Sequence, residues 1–192
     1  MVGCNREFQK AAVVVCGGMT INIPYKTLIV LTMEGLANED VDVVVVLGCV
    51  GAKLPSDVTI PENAKVVDFF PYDELFPHVD VFVNHGGYGG FQHAMSHGLP
   101  VIIAGGITDK PENSARAEWT GVGVDLGTNK PTPEAIKEAV KTVLENESFR
   151  LKAKDIGAKM AKFDAIGTGV KSIEELSGRN SGEVHAVIEI IE

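Results

Sequence analysis

Residues 69–119 read FFPYDELFPHVDVFVNHGGYGGFQHAMSHGLPVIIAGGITDKPENSARAEW, and their centre is the turn His85-Gly86-Gly87-Tyr88-Gly89-Gly90. Residues 80–84 form a short apolar run of strand character, and residues 91–97 read as a helix closed by Gly98 and Pro100. A strand therefore hands the chain to a helix N-terminus across a run of glycines. Such an end carries unpaired N–H groups and about half a positive charge, so Gly87, Gly89 and Gly90 would let a phosphate reach the backbone around Tyr88. A tight turn in any doubly wound sheet would use the same residues without a ligand.

The alternation continues on both sides. Ala11 to Cys16 (AAVVVC) is a continuous β-branched run of the kind found in a parallel strand covered on both faces, and Gly17-Gly18 ends it. Residues 24–38 carry Leu28, Leu31 and Leu36 at helical spacing, residues 41–47 form a second apolar strand, and residues 64–69 a third. Residues 72–76 make one helical turn. Residues 100–104 give a fourth later strand, a helix opens at Pro111, and residues 121–126 form a last short strand. Thr132-Pro133 opens an amphipathic helix with Ile136, Ala139, Val140, Val143 and Leu144 on one face. Helices over 149–163 and 168–176 follow. The expected fold is α/β: a doubly wound, Rossmann-like parallel sheet with helices on both faces, binding its ligand at the carboxyl ends of the strands. One domain is expected over residues 1–177, with 178–192 a tail that fits a helix or a strand.

Composition narrows the function. A net charge of −9 and a pI near 5.0 disfavour nucleic acid and acidic membrane, both of which are held by clustered Lys and Arg. Cys4, Cys16 and Cys49 are odd in number and lack a C-x-x-C, so a reducing cytoplasm is expected and neither a disulfide framework nor a zinc knuckle. No run reaches the roughly 18–20 apolar residues of a transmembrane segment. Gly17-Gly18 lacks the third glycine of a dinucleotide fingerprint, and no G-x-x-x-x-G-K-[ST] occurs, which disfavours NAD and P-loop chemistry.

The box formed by Phe69-Phe70-Pro71-Tyr72, His85-Gly86-Gly87-Tyr88-Gly89-Gly90 and Asp109-Lys110-Pro111-Glu112-Asn113 resembles the donor-sugar box of UDP-dependent glycosyltransferases. It is closest to the bacterial and fungal branch acting on macrolides, sterols and other lipophilic acceptors. The resemblance runs from about residue 11 to residue 176. It implies the C-terminal, donor-binding half of a two-domain (GT-B) enzyme, with a UDP-sugar as donor substrate and no metal or other cofactor. The acceptor-binding domain or partner chain, which would hold the small-molecule acceptor and the catalytic base, is expected before residue 1.

The resemblance also implies roles. Gly17 and Gly18 lie beside the donor phosphates, with Thr20 near; Phe69 and Phe70 hold the uracil; His85 and the glycine turn hold the diphosphate; Asp109 accepts from hexose hydroxyls. Three positions depart from the pattern. Gly90 stands where family members place a phosphate-binding Ser, His93 where they place a ribose-binding Glu, and Lys110 where plant members have Gln.

Each assignment has a structural rival. Phe69 and Phe70 could be a core pair, His85 a satisfied structural histidine, and Asp109 a helix cap. His93 and His97, four apart on one helix, have the spacing of a two-histidine zinc face, but Ala94 replaces the zincin glutamate and no third ligand is indicated nearby. Three functions stay open: a donor half of an inverting glycosyltransferase, a nucleotide-sugar-binding module without activity, and another GT-B enzyme such as a nucleotide-sugar epimerase.

Overall fold

A computed structural model describes residues 10–17 and 24–177; Gly18, Thr20, Cys4 and the tail from 178 lie outside the described residues. Two compact units divide the chain, Met1–Ala158 and Lys159–Glu192.

The first unit is built on six parallel strands among the described residues: β1 (Ala11–Cys16), β2 (Val41–Val46), β3 (Ala64–Val67), β4 (Val81–Asn84), β5 (Val101–Ile103) and β6 (Gly123–Asp125), in spatial order β3-β2-β1-β4-β5-β6. The order reverses between β1 and β4, whose register pairs Cys16 with Asn84 at the carboxyl ends. That reversal opens a crevice at the strand ends, where ligands of open α/β sheets bind. The expected doubly wound sheet is the fold observed.

The helices are α1 (Ile29–Leu36), α2 (Tyr72–Leu75), α3 (Tyr88–Ser96), α4 (Lys110–Thr120), α5 (Pro133–Glu145), α6 (Ser148–Met160) and α7 (Ala165–Ser177). Both sheet faces are covered, because successive strand residues point to opposite sides. Val13, Val15, Val81, Val83 and Ile102 join one core cluster with Ile29 and Met33 of α1 and Ile136 and Val140 of α5. Phe82, between two of them in β4, turns the other way onto the rings of Tyr72 and Phe76. Burial on both faces is why β1 and β2 read as valine runs.

Several boundaries differ from the sequence reading. The helix expected over 24–38 is a single 3-10 turn at Tyr25–Thr27 followed by α1, broken where Leu28 leaves helical dihedrals. Strand β3 stops at Val67 because Asp68 captures the next amides: its Oδ1 accepts from Phe69 N–H at 2.8 Å and its Oδ2 from Gly51 N–H at 2.7 Å. Helix α3 starts at Tyr88, not at Phe91, so Tyr88, Gly89 and Gly90 are its first turn and not part of a loop.

At the opposite end of the sheet, Arg150 of α6 donates to Asp80 Oδ1 at 2.7 Å and to the Asp80 carbonyl at 3.0 Å, while Asp80 Oδ2 accepts from Ala12 N–H at 2.9 Å. In the second unit, Asp164 accepts from Gly167 N–H at 2.8 Å and so caps α7. No helix of the described residues is long and apolar enough to cross a membrane.

Gly35 sets the contact between α1 and α5, since a Cβ there would run into the backbone carbonyl of Pro133. Alanine normally gains about 1 kcal/mol over glycine inside a helix. Here Gly35→Ala is expected to lose roughly 1–3 kcal/mol by overpacking against rigid backbone. Urea denaturation measures it, and an unchanged or raised midpoint would contradict this close approach.

Candidate functional site

The turn between β4 and α3 is fixed from three elements. Gly86 sits at φ +77°, a conformation that excludes most side chains, and a Cβ there would also strike Ile103 Cγ2 at 2.6 Å. Its N–H donates to Asn84 Oδ1 at 2.6 Å, and its carbonyl accepts from Asn113 Nδ2 of α4 at 2.8 Å. Asn84 and Asn113 are both buried, so the turn is held at each end by amides that water does not reach. Gly105, at the end of β5, packs equally closely on Lys110 Cβ, Ser114 Oγ and the His85 carbonyl.

Past the turn, Gly87 is the N-cap of α3 and no side chain caps the helix. The amides of Tyr88, Gly89 and Gly90 are the first-turn donors that an α-helix leaves without internal partners. A Cβ built at Gly87 or Gly89 meets no protein atom within 4 Å, so these glycines keep the space beside those amides open.

A cavity of about 660 Å³ lies over this turn at the crevice between β1 and β4. Of the residues singled out in the sequence, Gly17, Phe69, Phe70, His85, Gly87, Tyr88, Gly89, Gly90, His93, Asp109 and Lys110 all line it. Phe69 is exposed and Phe70 half-buried, so they are not a core pair; Tyr72, Phe76 and Phe82 form the aromatic core beneath them. Asp109 occupies the N-cap position of α4 without making a capping bond, and its Oδ1 accepts from Thr108 Oγ1 at 3.0 Å. Thr108 is the one non-glycine residue at positive φ among the described residues, at 61°.

Sequence reasoning passed over three cavity residues. Asn84 Nδ2 is buried without a hydrogen-bond partner among the described residues, because its Oδ1 is committed to Gly86. A buried amide left so is costly unless something accepts from it. Tyr72 packs its ring on Phe76 and Phe82, and burial followed by contact with Cys16 raises its phenol well above the ordinary value. Asp73 accepts at one oxygen, Oδ1, from His93 Nε2 at 2.9 Å and from His97 Nε2 at 3.0 Å. The His97 bond first, then the His93 bond, holds the Asp73 carboxyl below the usual carboxylate range. None of these links is visible in sequence, where Asp73 lies 20 and 24 residues away from its partners.

Lys110 is the one lysine or arginine among the described cavity residues, beside the carboxylates of Asp73 and Asp109. Lys110 is buried, and among the described residues no carboxylate forms an ion pair with it. Burial lowers its pKa, with Asp109 opposing. His85 is also buried, and its Nδ1 lies 3.0 Å from the Ala104 carbonyl. A carbonyl can only accept, so Nδ1 carries the hydrogen and Nε2 of the neutral ring is left as an acceptor. Desolvation lowers the His85 pKa, the Ala104 bond opposes that, and Lys110 adds to the lowering. The α3 side of the cavity thus combines first-turn amide N–H groups and a buried cation with an unpaired carboxamide donor buried in Asn84, an arrangement suited to an anionic ligand, while Asp73 and Asp109 place carboxylates elsewhere on the lining.

Comparison with known proteins is consistent with this arrangement. The family model for the erythromycin biosynthesis protein CIII-like C-terminal domain matches residues 30–176. UDP-glucosyltransferase A1 of Starmerella bombicola is 47% identical over 164 residues, which cover 85% of this chain and 35% of that protein. The spinosyn rhamnosyltransferase SpnG superposes with a TM-score of 0.77 at 18% identity, over 90% of this chain and 47% of the other. The glycosyltransferase VinC, solved in complex with dTDP, gives 0.74 at 20% identity over 91% and 43%. The chain spans little more than a third of the length of the curated relatives it matches.

The lowered His85 pKa has a stability signature. The unfolded ring takes a proton near pH 6.5 and the folded ring only at lower pH, so stability is full above about 6.5 and is lost as pH falls through it. In His85→Asn, whose Nδ2 can keep the bond to Ala104, that part of the slope should vanish. Urea titrations between about pH 5 and 8 check it; an equal slope in the variant would show that His85 titrates normally.

Proposed function

Because the chain belongs to the erythromycin biosynthesis protein CIII-like C-terminal-domain family, we propose that its cavity binds a UDP-sugar and that the chain is the donor-binding half of an inverting glycosyltransferase. One observation carries the reading. The uncapped first turn of α3, the unpartnered Asn84 Nδ2 and the buried Lys110 converge on one cavity at the switch point of the sheet. The relatives' names as UDP-glucosyltransferases and the dTDP held by VinC support it.

In this reading the diphosphate lies against the amides of Tyr88, Gly89 and Gly90, with Gly17 beside it. Phe69 and Phe70 take the flat face of the uracil, His93 lies at the ribose, and Asp109 and Lys110 meet the hexose. His85 can donate to a phosphate oxygen only after Nε2 gains a proton, so donor binding takes up a proton there. In this reading the α3 amides and the proton taken up by His85 meet the diphosphate charge, and no divalent metal is invoked for donor binding.

Chemistry follows from what each half holds. The acceptor hydroxyl, deprotonated by a base outside this chain, attacks the anomeric carbon from the face opposite UDP; the new C–O bond forms as the bond to the diphosphate oxygen breaks. Charge growing on that oxygen is met by the α3 amides and by protonated His85, donors fixed before the reaction starts. A small lipophilic acceptor and its base are supplied by a second half, for which the greater length of the relatives leaves room. Positioning by two halves contributes roughly 7–11 kcal/mol in such reactions, and one half alone does not provide it. A second reading, a nucleotide-sugar-binding module without transfer activity, is favoured by His93, which stands where family members place a ribose-binding Glu.

Titration calorimetry in EDTA is expected to show binding of both UDP and UDP-glucose. Asp109→Ala should weaken UDP-glucose while leaving UDP nearly unchanged, and His85→Ala should weaken both by about 1–3 kcal/mol, the value of a hydrogen bond to a charged group. No heat at millimolar UDP with folded protein would reject the donor site, and equal losses for both ligands in Asp109→Ala would reject its sugar role.

A further inference from the structure

We propose that Asp73, His93 and His97 form a binding site for one divalent transition-metal ion of the zinc class. The inference does not rest on the donor reading, since its three ligands and its test involve no nucleotide.

The three ligand atoms lie within 4.8 Å of one another. His93 in α3 and His97 at its C-cap are four residues apart and stack their rings 24° from parallel. The rings are held in that pose. Phe76 lies edge-on to both, at 90° to His93 and 84° to His97, and Tyr72 lies at 87° to His93. Asp73 follows Tyr72 in α2, so the helix turn that carries the Tyr72 ring also brings the Asp73 carboxylate to the imidazoles.

Both imidazoles address the same carboxylate oxygen through Nε2, at 2.9 and 3.0 Å. Two N–H groups directed at one anionic oxygen are the arrangement that a single cation replaces when both nitrogens lose their protons. A tetrahedral ion with bonds of about 2.0–2.1 Å spaces its ligand atoms roughly 3.3 Å apart. The two nitrogen–oxygen distances would each open by a few tenths of an ångström, and the Asp73 side chain, 74% exposed, is free to move by that much. Two imidazoles and a carboxylate favour zinc, cobalt, nickel and copper over magnesium or calcium. Asp73 and His93 also line the cavity, so the remaining coordination positions face the cleft and are open to water or to a ligand oxygen. A net charge of −9 favours cations at such a site.

The test is cobalt(II) titration of the EDTA-stripped and dialysed chain, read by visible absorption. The expected result is one equivalent bound with the d–d bands of a four- or five-coordinate ion, displaced by zinc(II) and not by magnesium(II). His97→Ala should weaken cobalt binding about 100-fold or more, above the loss for an outer hydrogen-bond partner. Asp73→Asn should weaken it by at least about tenfold, and His85→Ala should leave it unchanged. If His97→Ala fails to fold by circular dichroism, Asp73→Asn on the exposed helix α2 carries the test. Absence of d–d bands at millimolar cobalt, or equal binding by the folded variants, would overturn the proposal.

Discussion

Everything at the cavity depends on the two amides that hold Gly86. The turn must reverse direction within three residues, which forces Gly86 to positive φ and strips its N–H and carbonyl of strand partners. Asn84 and Asn113 replace those partners from β4 and α4. Losing either would leave a buried backbone group unpaired, at about 1–3 kcal/mol. The same two bonds aim α3, set the start of α4 and thereby place Lys110 and Asp109 on the cavity.

Electrostatics then decides what the cavity is for. The chain is acidic overall, yet at the switch point it brings together first-turn amides, an orphaned carboxamide donor and a buried ammonium. The carboxamide donor and the ammonium are unfavourable for folding in isolation, because a buried donor or cation without a partner forfeits its hydration. Their coincidence on one wall is best explained by an anion that completes them. The His85 tautomer adds a condition that a sequence motif cannot express: the ring is held as an acceptor toward the cavity until a proton arrives.

Much of this was legible from residue patterns, and the failures have physical causes. The valine runs of β1 and β2 and the amphipathic face of α5 identified the doubly wound sheet, because burial of both faces leaves so strong a pattern. Tyr88, Gly89 and Gly90 read as loop since glycine is a poor helix former, but the hydrogen bonds that Asn84 and Asn113 make to Gly86 hold the chain at the helix start and override that propensity. The end of β3 was misplaced because Asp68 competes for the next amides through its own side chain. Asp73 stayed hidden because its meeting with His93 and His97 is tertiary. The roles given to Gly18 and to residues 178–192 fall outside the described residues.

The account stands or falls on whether an anion sits on the α3 amides. The most direct measurement is two-dimensional NMR of 15N-labelled chain in EDTA while UDP is added. The account predicts that the backbone amides of Tyr88, Gly89 and Gly90 and the side-chain amide of Asn84 shift together along one binding curve. Binding of UDP that leaves these four signals unmoved, or none at millimolar UDP, would contradict it.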